Sequence, residues 1–324
     1  MPVELREIGR TGIRVTPLAL GCWPITGITS IDVNEADSRA TIAAAFDSGL
    51  NFFDTAHAYG YDGESERMVG DVLRPHRNRV VIASKCGIHW SADHKQQRDA
   101  RPETIRRQCT ESLARLGMDV IDLYYLHAPD PQVPVAESAG AIKELVDAGK
   151  IRAAGASNCT TQQLIAFQTV CPLSAYQPHY NMLQREIEDS QLPWCVQHSV
   201  SVMVYWPLMK GLLAGKLARD HQFDPRDGRR KYPMFHGEEW QKNQDFLDEL
   251  RPIAAEIGVS VAQVVLNWTI QRPGITAALC GAKRPDQIRD NAAALSWRLS
   301  PEQVARIDRA IVRRGPIVSR AAVT

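Results

Sequence analysis

Short apolar runs recur along the whole chain, and amphipathic segments separate them. Eight such runs occur, at residues 18–21, 51–54, 80–84, 121–126, 151–157, 174–177, 200–205 and 275–281. Continuous apolar runs of this length are typical of parallel strands that are buried on both faces. Eight strand–helix pairs with no linker between them predict an α/β fold, a single (β/α)8 TIM barrel. A doubly wound sheet is the alternative, because the strand count alone allows both.

The ends of several helices can be read from the residues that cap them. Pro102 suits the first turn of an amphipathic segment, and Gly117 suits its end. Capping-box spacing, a Ser followed three residues later by a Gln, opens two further helices at 260–263 and 300–303. These segments predict helices that alternate with the apolar strands.

Two parts of the chain lie outside the strand–helix alternation. Residues 3–16 have two short strand patterns around a glycine-containing turn, which predicts a β-hairpin. Residues 207–258 form a long loop after the seventh strand, with a helix near 240–257, and such insertions usually bind ligands or cover sites. We expect one domain over 1–324: a hairpin at 3–16, a barrel at about 18–295, and a C-terminal helix and tail at about 300–324.

Composition excludes several classes of function. The formal net charge is +1, so charge does not favour nucleic acid or an anionic membrane as a partner. The apolar runs are too short to cross a bilayer, and the N-terminal sequence MPVELREIGR lacks the apolar core of an export signal. The seven cysteines include no CxxC pair, and their odd number argues against a complete disulfide framework. We therefore expect a cytoplasmic protein that binds neither nucleic acid nor membrane.

Ionisable residues follow three successive apolar runs, where a barrel carries its functional groups. Asp54 ends the second run, Lys85 follows the third and His127 follows the fourth. Tyr59 lies in the loop after Asp54, and His57 in the same loop is interpreted as an ordinary loop residue. Each of these residues taken alone has a structural explanation, such as a turn or a half-exposed side chain. Adjacent strands would nevertheless bring the four candidates to one rim, which indicates an active site.

The four side chains have complementary chemistry. A phenol has a pKa near ~10, but an ammonium ~4 Å away at an effective dielectric of ~20 stabilises the phenolate by ~4 kcal/mol. We therefore expect Lys85 to lower the pKa of Tyr59 towards neutral pH, and Asp54 to keep Lys85 charged. His127 can donate a hydrogen bond to a carbonyl oxygen. The set predicts proton delivery to an oxygen that becomes negative as a hydride reaches its carbon, with no metal involved.

These residues stand in recognisable motifs: NFFDTAHAYG, ASKCG, DLYYLHAPD, GASN, YQPHYN, PLMKGLLAGK and GAKRPDQIRDN, in this order. From about Leu5 to about Ile311 the chain resembles the aldo-keto reductase superfamily, NADPH-dependent (β/α)8-barrel reductases of aldehydes, ketones and sugars. The resemblance implies an NADP-dependent oxidoreductase that reduces a small-molecule carbonyl to the alcohol. It also implies catalytic roles for Asp54, Tyr59 as the proton donor, Lys85 and His127.

Several polar and aromatic residues at later strand ends are suited to a nicotinamide. No GxGxxG motif follows the first strand, so a Rossmann-type site is not predicted. Tyr205 closes the seventh strand and offers a flat ring to stack on. Ser157, Asn158 and Gln177 end the fifth and sixth strands with hydroxyl and amide groups suited to a carboxamide.

The phosphate end of a dinucleotide is predicted after the last strand. The segment from Gly281 to Pro285 leads into a helix, where backbone N–H groups favour phosphate. Lys283 and Arg284 add positive charge suited to a 2′-phosphate, which favours NADPH over NADH. The resemblance implies further cofactor contacts from Cys22, Trp23, Asp54, Trp206, Pro207, Leu208, Gly211, Lys216, Arg229, Gln287, Asp290 and Asn291. Trp206 departs from the pattern, since most relatives carry a small residue there, and residues 89–100 are expected to frame the substrate mouth.

Two other functions compete with carbonyl reduction. One is a cofactor-binding regulatory subunit of the same fold with little turnover, as in the potassium-channel β-subunits of this superfamily. His127 speaks against it, because the resemblance implies a different residue there in those subunits. The other is a lyase or aldolase that forms a Schiff base on Lys85. Asp54 speaks against that reaction, since it would hold the lysine charged and non-nucleophilic.

Overall fold

The computed structural model describes residues 4–317, and a short hairpin begins this part of the chain. Strands β1 (Arg6–Glu7) and β2 (Arg14–Val15) pair antiparallel, as predicted, although residue 3 lies outside the described range. Residues 318–324 of the predicted tail lie outside it too. Ile8, Ile13 and Val15 of the hairpin are buried against the inner layer of the main sheet and close one end of it.

Eight parallel strands form a closed barrel. They are β3 (Leu18–Gly21), β4 (Phe52–Asp54), β5 (Val81–Cys86), β8 (Ile121–Leu126), β9 (Ile151–Ser157), β10 (Leu173–Gln177), β11 (Ser201–Tyr205) and β12 (Ile275–Gly281). Each pairs with the next in this order, and β12 pairs with β3. This closure confirms the (β/α)8 barrel and excludes the doubly wound sheet, which would leave two free edges.

Ten α-helices cover the described part of the barrel and its loops. They are α1 (Glu35–Asp47), α2 (Glu64–Leu73), α3 (Pro102–Leu116), α4 (Val135–Asp147), α5 (Thr161–Val170), α6 (Gln191–Gln197), α7 (Gly237–Ile257), α8 (Val261–Gln271), α9 (Pro285–Ala292) and α10 (Pro301–Arg314). The capping predictions are confirmed. Gly117 ends α3 with φ of 61°, and the Ser260 and Ser300 side chains accept hydrogen bonds from the third residue of their helices.

One local prediction needs correction, and one hairpin was not predicted. Strand β5 continues two residues beyond the predicted end, because Lys85 and Cys86 still pair with Tyr125 and Leu126 of β8. The stretch 89–100, which is expected to frame the substrate mouth, forms for the most part a second antiparallel hairpin, β6 (Ile88–Trp90) and β7 (Gln96–Arg98). Its second strand is exposed and polar, so hydrophobic periodicity gave no signal for it.

The seven cysteines are buried and none forms a disulfide. No single described helix is both long and apolar enough to span a bilayer, and only α7 and α8 taken together, bent by 92°, meet that criterion.

Alternate residues of the strands fill the barrel, and small residues stand beside large ones. Gly155 of β9 pairs in register with Tyr125 of β8. A Cβ atom at Gly155 would lie 2.3 Å from Cδ1 of the Tyr125 ring, and both residues are fully enclosed. The tyrosine ring therefore occupies the space that a side chain at 155 would need.

We expect Gly155→Ala to destabilise the protein by about 1–3 kcal/mol, because the added methyl group overpacks the barrel interior. Gly140→Ala in α4 is the control, since its Cβ would meet nothing nearer than 4.0 Å. That change should be neutral or stabilise by up to ~1 kcal/mol through helix propensity. Urea unfolding of both variants measures the difference, and equal effects would contradict the packing argument.

Candidate active site

The Lys85 ammonium lies on the carboxyl-end rim of the barrel and is saturated with hydrogen bonds. Its Nζ lies 2.5 Å from Oδ1 of Asp54, 2.8 Å from the Thr55 carbonyl oxygen and 3.2 Å from the Tyr59 hydroxyl oxygen. An ammonium carries three N–H donors and no acceptor, so all three donors are engaged. Such a lysine has no free lone pair, which disfavours the Schiff-base alternative.

Asp54 is held from both sides and is almost completely buried. Oδ1 accepts from Lys85, and Oδ2 accepts from Nε2 of Gln177 at 2.7 Å. Burial raises the pKa of Asp54 and lowers the pKa of Lys85, and the contact between the two charges opposes both shifts. Two donors on the carboxylate and three acceptors on the ammonium favour the charged pair.

Tyr59 lies between aromatic rings at the mouth of the barrel. Its ring contacts Trp23 edge-on with centroids 5.2 Å apart, and His127 with centroids 5.8 Å apart. Lys85 can only donate to the phenol oxygen, so the phenol hydrogen must point to another acceptor. The hydroxyl hydrogen of Tyr59 therefore remains available to a group other than Lys85.

The expected lowering of the Tyr59 pKa by Lys85 is wrong for this structure. Burial raises the pKa of Tyr59 well above its usual value, and the negative charge of Asp54 raises it further. The Lys85 ammonium lies closer to the Asp54 carboxylate than to the phenol oxygen, 2.5 Å against 3.2 Å, so the carboxylate offsets its charge. The phenol consequently keeps its proton at neutral pH, which a proton donor requires.

His127 lies beside Tyr59 and is uncharged at neutral pH. Burial, assisted by the positive charges of Lys85 and Arg98, holds the pKa of His127 well below its usual range. Its Nδ1 atom is buried without a hydrogen-bond partner in the described structure. Nδ2 of Asn158 donates to the His127 carbonyl oxygen at 2.9 Å and fixes the backbone there. A neutral imidazole with one N–H can donate to a bound oxygen without adding charge.

A buried polar network behind the lysine was not predicted from the sequence. Glu66 of α2 is fully buried, accepts from the Ser84 hydroxyl at 2.6 Å and pairs with Arg115 at 3.3 Å. His57, interpreted from the sequence as a loop residue, is buried and contacts Glu111 at 2.6 Å. Alternating acidic residues in the segment GESERMVG were the available signal, but a solvated helix face explains them equally well.

The residues predicted to hold a carboxamide are hydrogen-bonded to one another. The Ser157 hydroxyl donates to the backbone carbonyl oxygen of Gln177 at 2.7 Å, and the side-chain amide of Gln177 donates to Asp54. The Tyr205 hydroxyl donates to Oδ1 of Asn158 at 2.7 Å. Cys22 is fully buried, so its side chain does not reach the cavity surface. These contacts place the predicted nicotinamide residues together and give them fixed orientations.

Basic residues gather where β12 meets α9. The Lys283 ammonium donates to the Ile31 carbonyl oxygen at 2.7 Å, and burial lowers its pKa. The Lys283 backbone N–H donates to Oε1 of Gln287 at 2.9 Å. Arg284, the residue before α9, is exposed and pairs with Asp286 in the first turn of that helix, at 3.2 Å. The two cations therefore lie at a helix N-terminus, beside the Ile31 loop.

The remaining predicted phosphate and adenosine residues are tied to neighbouring elements. Lys216 contacts Asp290 at 3.2 Å, and Arg229 forms a bidentate pair with Asp227 at 2.6 Å. Asn291 is buried beside Cys280. Among the predicted cofactor residues on α9, it is the one whose side chain is inaccessible to solvent. Asp227, two residues before Arg229, was missed because a charge in a loop predicts no specific partner.

The loop after β11 has an unusual backbone. Trp206, Met209 and Lys210 all have positive φ, of 61°, 47° and 54°. Left-handed conformations of non-glycine residues cost of order 1–3 kcal/mol each and cluster at ligand sites. The loop also contains the predicted cofactor residues Pro207, Leu208 and Gly211, the last with φ of 87°.

Trp206 takes part in an aromatic group that the sequence did not predict. The Lys210 ammonium lies 4.1 Å from the Trp206 ring centroid and 4.5 Å from that of Tyr232. Burial, assisted by the charge of Arg229, lowers the pKa of Lys210 to about 8. The large residue at 206 therefore packs against a cation instead of leaving an open pocket.

Within the described residues, no group of three or more His, Cys, Asp or Glu side chains is arranged to hold a metal ion. The donor set around Tyr59 instead contains amides, hydroxyls and one ammonium. Amides at one end and guanidinium or ammonium groups at the other suit a dinucleotide, with a carboxamide at the rim and phosphates at α9.

Comparisons with known proteins agree with this geometry. A protein-family model described as the aldo/keto reductase family matches residues 17–312. The aldo-keto reductase YhdN of Bacillus subtilis (strain 168) is 37% identical over 303 residues, covering 93% of this chain and 91% of that protein. An NADH-specific methylglyoxal reductase of Escherichia coli (strain K12) is 34% identical over 308 residues, covering 90% of this chain and 94% of that protein.

A solved structure is similar over its full length. The glycerol dehydrogenase from Gluconobacter oxydans superposes with a TM-score of 0.91 at 34% identity, and 100% of each chain is covered. Fold and sequence comparisons therefore identify the same family.

The buried ion pair generates a stability prediction. Lys85→Met should destabilise the protein by about 3–5 kcal/mol near neutral pH, because it leaves the Asp54 carboxylate buried and unpaired. The folded-state pKa of Asp54 would then lie above its unfolded value of about 3.9. The free energy of unfolding of this variant would be highest below that unfolded value and would fall as pH rises through the folded-state pKa of Asp54.

Urea unfolding between about pH 4 and pH 8 measures this effect. The control is Asp54→Asn/Lys85→Met, which removes the buried charge altogether and should lose most of the pH dependence. If the single and double variants show the same slope with pH, the destabilisation does not arise from the unpaired carboxylate.

Proposed function

This chain belongs to the aldo/keto reductase family of oxidoreductases, and we propose that it reduces an aldehyde, ketone or sugar carbonyl to the alcohol with NADPH. The observation that carries the proposal is the saturation of Lys85 by three acceptors. It leaves the Tyr59 hydroxyl hydrogen free to point into the cavity beside His127. We retain the proposal that residues 1–324 form one domain, with a barrel at about 18–295.

Each side chain has a defined task in this proposal. A bound nicotinamide supplies a hydride to the carbonyl carbon. Tyr59 donates its hydroxyl proton to the carbonyl oxygen as negative charge develops there, which general acid catalysis accelerates by ~10²–10⁴-fold. Neutral His127 donates a hydrogen bond to the same oxygen and orients it. Lys85, held by Asp54, fixes the position of the phenol oxygen and stabilises the charge it gains when the proton leaves.

The contacts on the rim support the binding of the carbonyl group. Trp23, Tyr59 and His127 form a continuous edge-to-face set of rings, with centroid distances of 5.2 Å and 5.8 Å. Aromatic walls exclude water from the reacting oxygen and strengthen its hydrogen bonds. A small carbonyl compound fits this rim, and the names of the two relatives, for methylglyoxal and glycerol, indicate substrates of similar size.

The preference for NADPH is supported by the two cations at α9. Guanidinium and ammonium groups at a helix N-terminus favour a phosphate monoester. One relative is named as NADH-specific, so this preference is a proposal for this chain alone, and it rests on Lys283 and Arg284. The cytoplasmic location also remains part of this proposal, and the seven free cysteines support it.

Tyr59→Phe should lower turnover by ~10²–10⁴-fold and leave cofactor affinity almost unchanged, because it removes only the donated proton. Absorbance of NADPH during reaction with a panel of aldehydes and ketones measures turnover, and cofactor fluorescence measures affinity. Tyr61→Phe is the matched control, since Tyr61 lies on the same loop and is 47% exposed. A Tyr59→Phe variant that keeps more than about a tenth of the turnover would refute the donor role.

Lys283→Ala/Arg284→Ala should weaken NADPH binding by ~10²-fold and NADH binding little, because each charge-assisted hydrogen bond contributes ~1.5–3 kcal/mol. Arg284→Ala alone should weaken NADPH binding less than the double variant does, and it should leave the contact between Lys283 and Ile31 in place. Arg289→Ala is the control, an exposed charge on the same helix. Fluorescence titration with NADPH and NADH measures both affinities. Equal weakening of the two cofactors in the double variant, or a wild type that prefers NADH, would overturn the assignment of the two cations to the 2′-phosphate.

A further inference from the structure

A basic cavity lies at the end of the barrel opposite the catalytic rim. The hairpin, residues 74–79 and the starts of β4, β5 and β9 line this cavity, which is open to solvent and has a volume of about 720 Å³, in the range of small-ligand sites. Five arginines line it: Arg14, Arg74, Arg77, Arg79 and Arg152. No Asp or Glu of residues 4–317 lines it, and Asn51 and Asn78 contribute amides.

The arginines of this cavity are only partly neutralised. Arg77 and Arg152 share one carboxylate, that of the fully buried Asp122, at 2.8 Å and 2.9 Å. The two arginines and the carboxylate together therefore carry a net charge of one positive unit. Arg14, Arg74 and Arg79 form no ion pair with any residue the structure describes. The cavity thus gathers four uncompensated positive charges.

Most exposed arginines elsewhere in the described chain are paired. Arg106 pairs with Glu144 and Arg101 with Asp99, each at 2.7 Å. Several like charges around one cavity raise the free energy of the folded state, and a bound anion would offset that repulsion. The carboxylate of Glu7, across the hairpin from Arg14, accepts from the Gly12 N–H at 2.8 Å but does not pair with Arg14.

Several of these side chains are held in position before any ligand binds. Asn51 donates to the Arg14 carbonyl oxygen at 2.9 Å, which fixes the hairpin strand against β4. The Arg77 guanidinium donates to the carbonyl oxygens of Val80 and Val120 at 3.1 Å and 3.0 Å. The Arg79 guanidinium lies 4.8 Å from the centroid of the Phe46 ring. Fixed donors lower the entropy cost of binding.

We propose that this cavity binds a small anion that carries a diphosphate group. Guanidinium forks match phosphate oxygens in pairs, and the arginines line a space larger than one phosphate needs. The lining provides no nucleophile or general base, only guanidinium, amide and apolar groups. The site is therefore a binding site, and occupancy stabilises the folded chain without touching the catalytic rim.

Isothermal titration calorimetry tests the proposal on the full chain saturated with its nicotinamide cofactor, so that the cations near α9 are already occupied. Inorganic pyrophosphate should bind at one site per chain, with an affinity that falls as salt is added. The variant Arg74→Gln/Arg79→Gln should weaken binding by at least ~10-fold. Arg10→Gln/Arg309→Gln, which removes two exposed arginines without ion-pair partners from elsewhere, should bind as the wild type does.

A second titration with ADP distinguishes the source of the diphosphate. Equal or tighter binding of ADP indicates a nucleotide, and binding of pyrophosphate alone indicates the free anion. Pyrophosphate should also raise the thermal unfolding midpoint of the wild type. If Arg74→Gln/Arg79→Gln does not fold, Arg14→Gln on the exposed hairpin strand replaces it in the same titration. The absence of saturable binding, or an equal loss in the control variant, would overturn the proposal.

Discussion

The contact between the Lys85 ammonium and the Asp54 carboxylate, 2.5 Å long and excluded from solvent, organises the rim of this barrel. Desolvation of two charges is costly, and only a complete set of partners offsets that cost. Gln177 from β10, the Thr55 carbonyl oxygen and the Tyr59 hydroxyl supply the remaining partners, so strands from opposite sides of the barrel are joined at one point. The position of the Tyr59 hydroxyl depends on this arrangement, and the proposed chemistry depends on that position.

The fold could be predicted in detail because the strands are buried on both faces. Four of the eight predicted strand ranges, at 18–21, 121–126, 151–157 and 275–281, coincide with the observed bounds. The grouping of the strand-end residues was also predictable, since parallel strands deliver their last residues to one rim. The β6–β7 hairpin was not predictable, because its second strand, β7, is exposed and polar and carries no periodic signal.

What the sequence did not reveal depends on distances between residues far apart in the chain. The pKa of Tyr59 is raised because the phenol is buried and because the Asp54 carboxylate lies near it. No motif specifies that burial or that contact. The positive φ of Lys210, a non-glycine residue, is equally invisible in a sequence. The basic cavity draws on residues 14, 74–79 and 152, which no local pattern connects.

The hairpin that closes the barrel also constrains the order of events in folding. Arg6 of β1 donates to the carbonyl oxygens of Ile270 and Ile275 at 2.9 Å and 3.0 Å, and β3 pairs with β12. These contacts join positions more than two hundred and fifty residues apart. Long-range contacts of this kind form late, because the loop-closure entropy must first be overcome. During synthesis on the ribosome, residues 6–21 therefore emerge before the last barrel strand. Their apolar side chains stay exposed to solvent until that strand has been translated.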